Sequence, residues 1–179
     1  MRIIAGTLKG QQFQTPRGHK THPMSDKVRG ALFNVLGDIE GLTFLDAFAG
    51  SGALAFEAAS RGAQSVVAVD SDRSAHKIIE QNVKDLHLQK IVKVTKANMG
   101  GWSIHNMEKK FDIVLLDPPY DNVQLKLLER LAKRHTKVNG LMVISLPPKT
   151  AFSLPSTIYQ LLSTKSYGDA QLVFYRKIK

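Results

Sequence analysis

Residues 43–62 read TFLDAFAGSGALAFEAASRG. TFLDAF is an apolar run of strand length, AGSG is a loop, and ALAFEAASRG reads as a helix stopped at Gly62. A strand without polar alternation is buried on both faces. Followed directly by a helix, it is the repeating unit of a parallel sheet with helices on both sides.

The alternation continues downstream. QSVVAVD (64–70) reads as a second strand, RSAHKIIEQNVKDLH (73–87) as a helix and IVKVTKA (91–97) as a third strand. FDIVLLD (111–117) is the fourth, QLKLLERLAKRH (124–135) a helix and GLMVISLP (140–147) the fifth. The last part differs: TIYQLLSTKS and AQLVFYRKI flank Tyr167-Gly168-Asp169 and predict an antiparallel hairpin. Upstream, Ser25-Asp26 caps a helix with apolar positions Val28, Leu32, Phe33, Val35 and Leu36, ending near Gly37. RIIAGTLKGQQFQT (2–15) predicts a β-hairpin around Leu8-Lys9-Gly10, joined to the rest by PRGHKTHP. The expected fold is a doubly wound α/β sheet, mostly parallel, with a C-terminal antiparallel hairpin. One domain over 1–179 is expected, made of a basic N-terminal hairpin extension (1–23) and a Rossmann-like core (24–179).

In such a sheet, ligands bind beyond the carboxyl ends of the strands, where the strand order reverses. The loop after the first strand carries Ala49-Gly50-Ser51-Gly52. Its glycines let the backbone turn sharply, and the next helix offers unpaired N–H groups. Asp70 ends the second strand, where a carboxylate can accept from ribose hydroxyls. Gly50-x-Gly52-x-x-Ala55 also fits a dinucleotide fold. Asp46 separates the two cases: an acid just before the loop repels a pyrophosphate and suits a cofactor with a cationic amine, such as S-adenosylmethionine.

Asp117-Pro118-Pro119-Tyr120 ends the fourth strand beside that site. Two prolines remove two N–H donors, so the backbone there presents carbonyls unpaired by local donors. Tyr120 adds a flat stacking face. Two acceptors and a stacking surface suit an exocyclic amino group on a planar ring. Accepting from both its N–H groups, by Asp117 and the Pro118 carbonyl, localises the nitrogen lone pair toward a methyl donor.

The net charge is +10. Residues 1–30 carry six Lys/Arg against one acid, 31–164 fifteen against thirteen, and 165–179 four against one. Basic terminal segments around a nearly neutral middle suit a polyanion. There is no cysteine, so disulfides and thiolate metal sites are excluded. The six histidines lack HxH or HxxxH spacing, and no metal is expected. Neither a secretory signal nor a membrane span is read, and cytoplasmic residence is expected.

RIIAGTLKG, DKVRGALFNVL, LDAFAGSGALAFEAASRGA and DIVLLDPPY together are similar to the bacterial RsmD family, and the chain is identified as a member of it. The resemblance implies a class I S-adenosylmethionine-dependent methyltransferase fold. It also implies methyl transfer to N2 of a guanine in 16S ribosomal RNA, free or in an assembling or assembled small subunit. On it, Asp46, Ala49, Gly50, Ser51 and Gly52 would line the methionine part of the cofactor, with Asp70 and Ser71 at the ribose. Asn98 would face the adenine amine. Asp117, Pro118, Pro119 and Tyr120 would hold the guanine amine. Arg2, Lys9, Arg17, Lys20 and Arg29 would contact RNA, and the chain would act as a monomer.

Three positions depart from the family pattern. His22-Pro23-Met24 stands where Arg-Pro-Thr is usual, Asn98 where an acid is usual, and Asp70 where Glu is frequent. Weaker cofactor binding is expected from them. A DNA adenine-N6 or cytosine-N4 methyltransferase also presents DPPY, and a non-catalytic RNA-binding relative would share the fold. Both stay open from the sequence.

Overall fold

The computed structural model describes residues 1–16 and 24–179. Seven strands form one sheet in the order β3-β2-β1-β4-β5-β7-β6. The strands are β1 (Thr43–Asp46), β2 (Ser65–Asp70), β3 (Val92–Lys96), β4 (Phe111–Leu116), β5 (Thr136–Leu146), β6 (Tyr159–Tyr167) and β7 (Ala170–Lys177). The first five are parallel, while β7 runs antiparallel to both β5 and β6. The expected α/β sheet with its terminal hairpin is therefore the one observed. β1 sits between β2 and β4, so the order reverses there, and its carboxyl end opens at the switch point.

Two apolar cores flank the sheet. α1 (Asp26–Leu36), α2 (Ala53–Ser60) and α3 (Arg73–Asp85) bury one around Phe33, Phe44 and Phe56. α4 (Met99–His105) and α5 (Leu125–His135) bury the other around Trp102, Leu131 and Ile144. α1 starts where read, with the Ser25 hydroxyl accepting from the Val28 N–H. Of its apolar positions, Val35 is exposed while Val28, Leu32, Phe33 and Leu36 are buried.

Three expectations need correction. α4 was not anticipated, because MGGWSIH carries two glycines and no clear amphipathic period. β5 begins at Thr136, directly after α5, and not at Gly140. A register shift against β4 and a positive φ at Asn139 absorb its polar start, hiding it from a pattern search. The N-terminal segment closes with the single antiparallel bridge Arg2–Gln12 in place of two full strands. Nor is 1–16 a free arm, since Ile3 and Phe13 are buried in the first core.

Glu57 explains that docking. Its carboxylate accepts from the backbone N–H groups of Ile4 (2.8 Å) and Ala5 (3.1 Å) and from Arg61 Nε (2.7 Å). Ser60 Oγ accepts from Leu8 N–H and donates to the Ala5 carbonyl. Gly6 lies so close that a Cβ would stand 1.9 Å from the Ser60 carbonyl oxygen. The spacing between the RIIAGTLKG and ALAFEAASRG stretches is thus a packing contact between an N-terminal turn and α2. No helix among the described residues is long and apolar enough to cross a membrane.

Candidate active site

The carboxyl ends of β2, β1 and β4 bring Asp70, Asp46 and Asp117 to one edge of the sheet. After β1, the chain folds back over its neighbours: Ala47 N–H donates to Leu115 O (3.1 Å) and Ala49 N–H to Val69 O (3.0 Å). The glycine loop is closed by Gly52 N–H donating to Ala49 O at 2.6 Å. Gly52 then starts α2 with φ of 79°, and a Cβ there would strike the Phe56 ring at 2.7 Å. Ala49 and Ser51 are buried beneath the same loop.

Asp70 lies where the ribose acceptor was expected, and it also holds the loop. One oxygen accepts from Gly50 N–H (2.7 Å) and the other from Asp72 N–H (2.8 Å). The lone pairs these two donors leave remain for a ligand. Ser71 is exposed beside it. Asn98 caps α4, its side-chain oxygen accepting from Gly101 N–H at 2.8 Å, so any contact to an adenine amine shares that oxygen. Trp102 packs in the second core, 5.1 Å from the His135 ring and 6.5 Å from Phe111.

Asp46 is only 1% exposed, and neither carboxylate oxygen has a hydrogen-bond partner. Burial, then the charges of Asp117 and Asp70, push its pKa up to about 8; a weaker opposing pull comes from the Ala55 backbone. A buried acid that completes no hydrogen bond fits a ligand cation. An ammonium supplies three donors and the missing positive charge.

Asp117 follows β4 with its carboxylate partly exposed, and burial raises its pKa to about 6. Pro118 is buried, and its carbonyl accepts no hydrogen bond among the described residues. Pro119 O accepts from Asn122 N–H at 3.0 Å, closing the turn. Tyr120 is 38% exposed, and its hydroxyl lies 2.7 Å from Ser145 Oγ. Burial raises the phenol to about 12, so it stays a donor.

Ser145 was missed in the sequence. It is buried on β5, and the pairing of Leu116 with Ile144 sets it beside Asp117. There its hydroxyl lowers the Asp117 pKa against burial. The signal was a lone hydroxyl near the carboxyl end of GLMVISLP, where a fully buried strand would hold another apolar residue.

Of the RNA contacts expected, Arg29 is corrected. It is wholly buried, donating to Arg2 O (2.7 Å) and Asp26 (2.9 Å), with Nε 3.7 Å from Glu57. Its guanidinium neutralises the Glu57 site and reaches no solvent. Arg2 is exposed and paired with Asp26 at 3.2 Å; Lys9 is exposed. Arg17, Lys20 and the His22-Pro23 departure lie outside the described residues.

The chain matches the family model described as "Conserved hypothetical protein 95" over residues 1–176. It is 34% identical to the Bacillus subtilis protein "Putative rRNA methyltransferase YlbH", covering 99% of both chains. It is 30% identical to "Ribosomal RNA small subunit methyltransferase D" of Buchnera aphidicola, over 97% of this chain and 91% of that one. Among solved structures, "Putative methyltransferase yhhF" of Escherichia coli superposes with a TM-score of 0.88 at 26% identity, covering 99% and 98% of the two chains.

Proposed function

The chain belongs to the RsmD family of ribosomal RNA methyltransferases, and from that premise we propose that it transfers a methyl group from S-adenosylmethionine to the N2 amine of a guanine in 16S ribosomal RNA. It acts on that RNA in a small subunit, as a monomer in the cytoplasm. The observation carrying this reading is the pairing of Asp46, a buried acid without a hydrogen-bond partner, with Asp117-Pro118-Pro119-Tyr120 on the adjacent strand end.

The cofactor supplies an electrophilic methyl group on a sulfonium. Asp46 holds its amine, Ala49 to Gly52 line its methionine part, and Asp70 and Ser71 meet its ribose. The Asn98 amide oxygen faces its adenine while capping α4.

Asp117 and the Pro118 carbonyl accept from the two N–H groups of the guanine amine. Pro119 fixes the turn that aims them. This keeps the nitrogen lone pair off the ring and directed at the methyl group. Tyr120, tethered through Ser145, lies against the flat base. With a pKa of about 6, Asp117 is mainly ionised at neutral pH. An N-protonated aromatic amine is a far stronger acid, so Asp117 takes the proton released as the nitrogen is methylated. The base must be unpaired to enter, in a loop or extruded from a helix.

The test is transfer of labelled methyl from S-adenosylmethionine to ribosomal RNA, partly assembled small subunits and DNA, followed by digestion to nucleosides. The expected product is N2-methylguanosine from RNA or particles. Asp117→Ala is expected to lower kcat about 10²–10³-fold with cofactor binding retained. Label in methyladenine or methylcytosine from DNA would overturn the assignment.

A further inference from the structure

A concentration of positive charge lies away from the cleft, at the opposite edge of the sheet. α5 runs straight into β5, which places Lys133, Arg134 and Lys137 at the amino ends of β4 and β5. Lys109 and Lys110 lead into β4 at the same edge. β7 is antiparallel to β5, so Arg176, Lys177 and Lys179 finish there too. These eight Lys/Arg face two acids, Glu108 and Asp112, giving +6 of the chain's +10. Asp112 already binds Lys137 at 2.9 Å.

The patch is built on a buried support. Lys177 is buried, its Nζ donating to the carbonyls of Lys133 (2.7 Å) and Thr136 (3.0 Å). This ties the end of β7 to the end of α5. Burial, with Lys110 and Lys133 nearby, lowers its pKa. His135, wholly buried beneath, has Nδ1 2.8 Å from Lys109 O and Nε2 2.8 Å from Ser103 Oγ. Burial lowers its pKa, so it adds no charge at neutral pH. Arg134 is aimed by its own hydrogen bond to Ser103 at 2.9 Å. Lys110, Lys133, Arg176 and Lys179 are exposed around this base, and no anionic partner meets their side chains among the described residues.

We propose that this edge is a second RNA contact, which grips the phosphate backbone of a folded RNA whose target base sits in the cleft at the opposite edge. The inference rests on the RNA reading of that cleft. The six residues of β4 separate the two, a span of about 20 Å at ~3.3 Å per residue. A structured RNA or particle reaches across that distance, and a free nucleotide does not. Recognition of the substrate's size and shape is therefore divided from recognition of its base.

The test is filter binding of a 16S ribosomal RNA transcript over a salt series, using the full chain and the triple variant K110Q/K133Q/R176Q. These three side chains make no hydrogen bond or ion pair among the described residues, so the variant keeps the wild-type melting temperature. The salt slope is expected to fall by about 2, since each lost phosphate contact removes roughly 0.7–0.9. KM for the transcript should rise about tenfold or more with kcat unchanged. A slope and KM equal to wild type would overturn the proposal. RNA binding that depends on the patch, without methyl transfer by the wild type to either the transcript or partly assembled small subunits, would sustain it and overturn the cleft assignment instead.

Discussion

Glu57 and Asp46 are both buried carboxylates on elements that flank the glycine loop, and they are treated in opposite ways. Glu57 accepts from two backbone N–H groups and from Arg61, with Arg29 close by. Asp46 accepts from nothing. A buried charge with a full set of donors holds the fold together, because removing either side strands the other. A buried acid without donors weakens the fold and survives where a ligand completes it. The contrast separates the N-terminal docking network from the candidate active site, although both lie within the stretches that resemble one family.

The largest effect expected is on Glu57. Glu57→Ala leaves two backbone N–H groups and Arg61 Nε without their acceptor and should cost about 3–5 kcal/mol, read as a lower denaturant midpoint. A loss under about 1 kcal/mol would erase the contrast. Asp46→Asn should do the reverse. The folded pKa of about 8 exceeds the carboxylate reference of 3.8, so the folded chain keeps a proton the unfolded chain has lost between those values. Stability therefore falls as pH rises through that window. The variant escapes this loss. It should melt above wild type at pH 8 and no higher at pH 4, while binding S-adenosylmethionine at least about tenfold more weakly.

A smaller signal sharpens the same point. If Asp46 is protonated when free and ionised opposite an amine, cofactor binding at pH 7 should release up to one proton. Calorimetry in buffers of different ionisation enthalpy would show it, and Asp46→Asn would abolish it. Affinity should rise from pH 6 to 8; a flat profile would mean the acid is already charged.

Asp117 lies between the extremes, partly exposed and helped by one hydroxyl. Ser145→Ala should move the Asp117 titration, followed by carboxyl carbon NMR, from about 6 to higher pH. The acid limb of methyl transfer should move with it. Tyr120→Phe keeps the Ser145 hydroxyl and should leave that limb in place while loosening substrate binding.

Much of this was legible in the chain itself. Strand and helix order follows from periodicity, and the acids at strand ends follow from the sheet rule that puts ligands there. Asp46, Asp70 and Asp117 converge as their positions in TFLD, VVAVD and IVLLD require. Partnership was not legible, because a hydrogen bond between distant segments leaves no local pattern. Arg29 reads as a basic residue near a basic terminus, yet α1 turns it inward to Glu57, which lies twenty-eight residues further on. Asn98 reads as a ligand acceptor and caps an unanticipated helix. Ser145 gains its role only when β5 pairs with β4.

Local spacing by itself determined the kind of fold and the edge of the sheet where Asp46, Asp70 and Asp117 gather. Those depend on burial patterns that repeat along the chain. The tertiary structure alone decided which charges are neutralised, which are left waiting, and where the basic surface gathers. Each of these depends on distances between segments that only packing brings together.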